Sequence, residues 1–303
     1  MSDTVFSKQN TRLGFIGLGL MGSRFLKRLH SQGWTIRGWN RRRNLVLPLI
    51  DYGFDIEETL SALVHGSDVL LSSLANDNAV RMVYLGEDGV FANVQPGTVI
   101  LEMSTISAEL SARLHQEAAR RGAKLIDLPV SGSTPAVEAG TVTLFAGGDP
   151  DTFNRSIPIF KSIAKRWHLM GPATAGVRTK LVVNLLLGVS MEAIAEAVSL
   201  ADHLQLNREL LLDMLPTTAV IAPAFLGKFS KIKDGDYAPQ FPLHLMSKDL
   251  NLVQNAAEQS GAQLPAAEAA RFIFEDALAE SGDLDLSAVT LHVLSMGRAG
   301  NHA

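Results

Sequence analysis

An α/β domain built on a parallel sheet, followed by a mostly helical domain, is the fold class this sequence predicts, and three observations carry it. Through the first half, short apolar runs alternate with segments of helical period, the pattern of βα units that lay down a parallel sheet. From about Gly176 the pattern changes, and "VRTKLVVNLLLGVSMEAIAEAVSLADHLQL" reads as one helix of unusual length, with further helical segments and prolines in the joins after it. The chain has 303 residues, 47% hydrophobic and 19% charged, an ordinary globular composition with length enough for two domains. The expected domains are 1–172 and 173–303, joined by the long helix.

Taken in order, the expected strands are "LGFIG", "TIRGW", "DVLLSS", "GTVILEM", "AKLIDLPV" and "TVTLFAGG", each rich in β-branched or aliphatic residues and bounded by turn formers. Between them, helices are expected at Ser23 to Gln32, Leu60 to His65 and Ala108 to Arg121. The opening "MSDTVFSKQNTR" lacks the apolar core of a signal peptide, and the apolar stretch from Leu181 to Leu187 is interrupted by Asn184, so no membrane span is expected. A net charge of −4 gives no bias toward nucleic acid or an anionic surface. With no cysteine, disulfides, thiol catalysis and cysteine-ligated metals are excluded, no metal site is expected, and the cytoplasm is the default compartment.

The first βα unit carries Gly17, Gly19 and Gly22 in GxGxxG spacing, with Leu18, Leu20 and Met21 between them, directly after a strand and opening a helix. In a Rossmann-type domain the first glycine makes the tight turn, the second lets backbone approach a pyrophosphate, and the third lets helix pack on strand. The helix amino terminus then presents free N–H groups to phosphate. NAD-binding versions end the second strand in a carboxylate that accepts from the ribose hydroxyls. Here that strand ends at Trp39 and runs into Asn40, Arg41, Arg42 and Arg43. A carboxylate would repel a 2′-phosphate, whereas guanidinium binds it, so the run predicts NADP(H), held by Asn40, Arg41 and Arg42.

With this motif, three later stretches resemble the β-hydroxyacid dehydrogenase family of the 6-phosphogluconate dehydrogenase-like superfamily, and most closely its glyoxylate/succinic semialdehyde reductase branch. "DLPVSGSTPAVEAGTVTLFAGGD" is similar to the family's substrate motif, whose Ser-Gly-Gly turn receives a carboxylate; Ser131 and Gly132 match, and Ser133 replaces the second glycine. "GVRTKLVVN" resembles the catalytic motif, with Lys180 and Asn184 four residues apart on one helical face. The loop before it has Thr174 where the family usually has glycine. "FPLHLMSKDLNLVQNAAEQSG" resembles the carboxy-terminal motif. The resemblance implies that Lys248 lies beside the cofactor and that Phe241 and Asp249 line the substrate pocket, with Thr105 of "EMSTIS" on the substrate side.

The resemblance implies an NADPH-dependent reductase acting on a small aldehyde acid, with Lys180 as general acid and Asn184 holding its geometry. A 3-hydroxyisobutyrate-type dehydrogenase fits less well, since such enzymes usually carry an acidic residue after the second strand and paired asparagines after the lysine, where this chain has Arg41 and Val183. Imine reductases share the architecture but replace the lysine, which leaves imine reduction as a side activity. The alternative of another class is a catalytically silent nucleotide-binding module, and silent relatives lose the lysine that this chain keeps. The long helix is apolar on more than one face, which predicts a homodimer or larger assembly. No nucleic-acid or membrane partner is expected.

Overall fold

The computed structural model describes residues 5–299. Strands β1 (Arg12–Ile16), β2 (Thr35–Trp39), β3 (Val69–Ser72), β4 (Val99–Glu102), β5 (Lys124–Asp127), β6 (Val130–Ser131), β7 (Val142–Gly148) and β8 (Ala164–Gly171) form one sheet, ordered β2-β1-β3-β4-β5-β7-β6 with β8 on β7. The first five are parallel to one another, while β7 runs antiparallel to both β5 and β6. Their apolar runs are continuous because both faces are covered. Phe15, Leu71, Leu101 and Ile126 point into one core, and Ile16, Leu70, Ile100 and Leu125 into the other.

All six expected strands form. The run "AKLIDLPV" breaks after Asp127, so that its end belongs to β6. Strand β8 has no counterpart among the expected strands, because Lys165, Arg166 and His168 dominate its sequence. It joins the sheet through β7 alone, and charged outward residues suit such an edge. The helix expected from Ser23 runs Gly22–Ser31, and the one from Ala108 ends at Arg120.

The chain divides into two compact units, one reaching Lys180 and the other starting at Leu181. That division falls inside the helix Ala175–His203. The first turn of this helix packs on the sheet, where a side chain at Gly176 would stand 2.5 Å from the Phe145 carbonyl oxygen. Its 29 residues are long and apolar enough to cross a membrane by length and composition. Yet Met191, Ile194, Ala195 and Val198 belong to the core of the second unit, with Phe229, Met246, Leu250 and Phe274 from later helices.

In the second unit, helices Arg208–Met214, Leu226–Asp234, Leu243–Ser260, Pro265–Asp276 and Val289–Ala299 surround that core. Asp285 is its polar hub. Fully buried, it accepts from Lys228 Nζ at 2.8 and 2.9 Å, from the backbone of Gln240 at 3.0 Å and Phe241 at 3.2 Å, and from Ser287 Oγ at 2.8 Å. Burial alone would raise its pKa, but the Lys228 hydrogen bond and charge, Ser287 and the Gln240 amide outweigh it and hold the carboxyl below 3.8. An aspartate with a depressed folded pKa contributes stability that is present above its unfolded value and lost as pH falls through the folded one. Asp285→Asn, which leaves Lys228 charged and buried without its counter-ion, is expected to cost about 3 to 5 kcal/mol in urea unfolding at neutral pH. The difference between wild type and variant should shrink as the pH drops below about 4.

Candidate active site

The turn after β1 lies where the sheet order reverses, with β2 on one side of β1 and β3 on the other, the place where open α/β sheets bind dinucleotides. Gly17 adopts φ +89°, and a side chain there would stand 2.5 Å from the Ser73 carbonyl oxygen; one at Gly22 would overlap the carbonyl of Gly17. The chain's own packing therefore requires both glycines. Gly19 is different, because a side chain there would meet nothing of the chain within 4 Å. Leu18 is buried, Met21 half-buried and Leu20 exposed. The helix Gly22–Ser31 starts with no side-chain cap and no acidic residue in its first turn; the Ser23, Arg24 and Phe25 amides bond back to the Gly19 and Met21 carbonyls, and no negative side chain offsets the positive end of the helix dipole, which favours an anion. Open space at Gly19 beside an uncapped helix start fits the pyrophosphate of a dinucleotide.

Asn40, just past β2, accepts from the Leu18 amide at 3.1 Å through Oδ1 and donates to the Arg42 carbonyl at 2.8 Å through Nδ2. One side chain thus ties the glycine-rich turn to the arginine run. All three arginines are exposed. Arg43 is tethered, donating to the Glu57 carbonyl at 3.4 Å and pairing with Glu58 at 3.5 Å, whereas Arg41 reaches only the Met82 sulfur at 3.5 Å.

At the carboxyl ends of β3 and β4, Glu102 Oε1 accepts from Ser72 Oγ at 3.2 Å and the Ser104 amide at 3.0 Å, while Ser104 Oγ accepts from the Leu74 amide at 2.8 Å. Burial pushes the Glu102 pKa up to about 7, against the hydrogen bonds from Ser104 and Ser72. Thr105 is half-buried just beyond this cluster. Ser131 pairs with Thr143 at the edge of β7, Gly132 takes φ +148°, and Ser133 starts the short helix Thr134–Ala139 without capping it.

Asp127, at the end of β5, escapes the sequence reading although it opens the "DLPVSGS" stretch. Its Oδ1 accepts from the Thr174 amide at 2.9 Å and lies 2.8 Å from His115 Nε2, and its Oδ2 accepts from the Val177 amide at 2.8 Å. The carboxylate thereby caps the long helix. Thr174 holds the left-handed conformation, φ +75°, so the departure from glycine leaves the turn in place with a β-branched residue in it. Lys180 comes on the next turn, with 8% of its surface exposed.

Asn184, one turn further along the helix, is fully buried, and its Nδ2 donates to Asp249 Oδ2. The contact is possible because Gly188 admits helix Leu243–Ser260 closely: a side chain there would stand 2.7 Å from Leu250. Lys248 Nζ lies 2.7 Å from the other oxygen of Asp249. Asp249, expected at the substrate, is itself only 2% exposed and directs its carboxylate to Asn184 and Lys248. Asn184 Oδ1 is buried with no hydrogen-bond partner, an acceptor turned away from Asp249. Phe241 is half-buried against the core, its amide held by Asp285.

Residues 12–171 match the family described as the NAD binding domain of 6-phosphogluconate dehydrogenase. Residues 174–293 match that described as NAD-binding of NADP-dependent 3-hydroxyisobutyrate dehydrogenase, in agreement with an NADP(H) cofactor. The chain is similar to glyoxylate/succinic semialdehyde reductase 1 of Arabidopsis thaliana, 32% identical over 91% of this chain and 96% of the relative. It is 33% identical to 2-(hydroxymethyl)glutarate dehydrogenase of Eubacterium barkeri over 93% of this chain and 94% of that one. The crystal structure of a 3-hydroxyisobutyrate dehydrogenase from Salmonella typhimurium superposes with a TM-score of 0.85 at 27% identity, covering 93% of this chain and 99% of the other. With a Rossmann-type unit, a glycine-rich turn shaped for a dinucleotide and relatives of this kind, the chain belongs to the β-hydroxyacid dehydrogenase family, NAD(P)-dependent oxidoreductases that act on CH–OH groups.

Proposed function

We propose that the chain reduces the carbonyl of a small aldehyde acid, such as glyoxylate or succinic semialdehyde, to the hydroxy acid, with NADPH as the preferred cofactor. The observation that carries this reading is a lysine held on a helix whose start is locked to the dinucleotide-binding sheet, with Lys180 itself largely buried. Bound NADPH supplies the hydride. As the carbonyl carbon gains it, negative charge gathers on oxygen; the Lys180 ammonium stabilises that charge and transfers a proton to the oxygen. Asp249 occupies the Asn184 amide nitrogen, which leaves the Asn184 carbonyl oxygen as a buried acceptor without a partner. The resemblance gives Asn184 the part of holding the geometry of the lysine, and a lone acceptor is suited to orienting a donor. The family resemblance assigns the substrate carboxylate to the Ser131–Gly132–Ser133 turn and a substrate-side role to Thr105, and gives Phe241 and Lys248 the family's substrate and cofactor roles.

Cofactor choice rests on the residues just past β2. Asn40 stands in place of the ribose-binding carboxylate and couples the glycine turn to the arginines, and of these Arg43 is already engaged by Glu57 and Glu58. Arg41 and Arg42 therefore take the 2′-phosphate.

The apolar surface of the long helix supports a homodimer. Val182, Leu186 and Leu200, with Leu204 directly after the last helical residue, are 60 to 63% exposed and fall on one face. They lie symmetrically about Ala193, so a second copy running antiparallel would set Val182 on Leu204 and Leu186 on Leu200, the self-complementary pairing that a two-fold axis requires.

Each of these assignments has a measurable consequence. Lys180→Ala should lower turnover roughly a hundred- to ten-thousandfold with NADPH binding retained, and Lys180→Arg should restore little, since arginine keeps the charge but does not release its proton near neutral pH. Steady-state reduction of glyoxylate and succinic semialdehyde, with NADPH binding measured separately by fluorescence, checks both; turnover near the wild-type rate in the alanine variant would remove Lys180 as the acid. Arg41→Glu combined with Arg42→Ala should cut the preference for NADPH over NADH by about tenfold or more per contact, read from kcat/KM with each cofactor. Leu186→Glu with Leu200→Glu should convert a dimer to a monomer in light scattering at micromolar concentration, and a monomeric parent protein would exclude this interface.

A further inference from the structure

Asp127 makes no contact that the proposed reaction requires, yet it is among the most completely buried charged side chains of the first unit, at 1% exposure. Its surroundings are built for it. A side chain at Gly147 would stand 2.6 Å from its Oδ1, and one at Gly176 would stand 2.8 Å from its Oδ2, so both glycines leave room for the carboxylate. Its two oxygens hold the amide that precedes the long helix, Thr174, and an amide of its first turn, Val177. The negative charge also lies at the positive end of the helix. Thr174 is left-handed at φ +75°, a conformation that a β-branched residue keeps only when its surroundings impose it. The same amide that belongs to the strained residue is the one the carboxylate grips.

We propose that Asp127 is a positioning residue for Lys180: by clamping the start of the helix to the end of β5 and holding Thr174 in its left-handed turn, it places the lysine ammonium relative to the dinucleotide-binding sheet. The assignment rests on the reading of Lys180 as proton donor. Without the clamp, Thr174 relaxes toward ordinary backbone, the first turn shifts, and the ammonium moves with it. A displacement of about an ångström at a reacting group is enough to cost turnover on the order of a hundredfold.

The test compares Asp127→Asn, Thr174→Gly and the double variant, each with kcat on glyoxylate and succinic semialdehyde, NADPH affinity by fluorescence, and circular dichroism at a temperature where all are folded. Asp127→Asn is expected to lower kcat on the order of ten- to a hundredfold while NADPH affinity stays at the wild-type value, since the Gly17–Gly22 turn is untouched. Thr174→Gly alone should leave kcat unchanged. Added to Asp127→Asn it should recover part of the loss, because glycine keeps the left-handed turn without being held there. Wild-type kcat in Asp127→Asn, a loss that glycine leaves whole, or a parallel loss of NADPH affinity would each overturn the proposal. If Asp127→Asn does not fold alone, the double variant is compared with Thr174→Gly: a lower kcat at equal NADPH affinity supports the assignment, and equal kcat overturns it. Lys180→Ala keeps the two readings apart. Full turnover there removes the lysine as the acid, whereas a dead Lys180→Ala beside a fully active Asp127→Asn removes only the role given to Asp127.

Discussion

Asp127 ends β5 with 1% of its surface exposed, and a carboxylate so placed is tolerable only when donors surround it. The donors that meet it come from one place in the chain, the amides of Thr174 and Val177 at the start of the long helix, with the His115 ring closing the third side. Satisfying one buried group therefore dictates where that helix begins. It also explains why Gly147 and Gly176 flank the contact and why Thr174 tolerates a left-handed backbone. Lys180 follows on the same helix, one turn beyond these contacts.

The second unit repeats the logic with other aspartates. Asp285 gathers Lys228, the backbone of Gln240 and Phe241, and Ser287, and so sets the chain that leads into helix Leu243–Ser260. That helix delivers Asp249 to Asn184 across the gap that Gly188 leaves. A side-chain amide can point either way, and a carboxylate on its nitrogen removes the choice. The orphaned Asn184 oxygen is the consequence. Buried polar groups cost stability when they lack partners.

The dinucleotide side obeys a different constraint, that of space. Gly17 and Gly22 are demanded by contacts inside the chain, while Gly19 is demanded by none, and the helix start beside it carries no cap. The cofactor carries the difficult chemistry in enzymes of this kind, and the protein's share is orientation, charge and a proton. On the proposed reading these tasks are divided: the glycine turn and arginine run bind, and the clamped helix supplies the proton.

By itself the sequence determined what depends on local pattern. Six strands were legible as apolar runs because a sheet covered on both faces needs side chains of one kind throughout, and the glycine spacing, the arginines after Trp39 and the Lys180–Asn184 face were legible because each lies within one element. Strand β8 was hidden by Lys165, Arg166 and His168, since an edge strand exposes one side to water and loses the apolar signature. Only the tertiary structure decided that Asp127 would cap a helix 47 residues later, that Lys228 would meet Asp285 across 57 residues, and that Asp249 would turn to Asn184, 65 residues before it. Nothing in an isolated aspartate announces its partner: the pairing exists because folding buries the carboxylate, and burial compels it to find whichever donors the packed chain brings within reach.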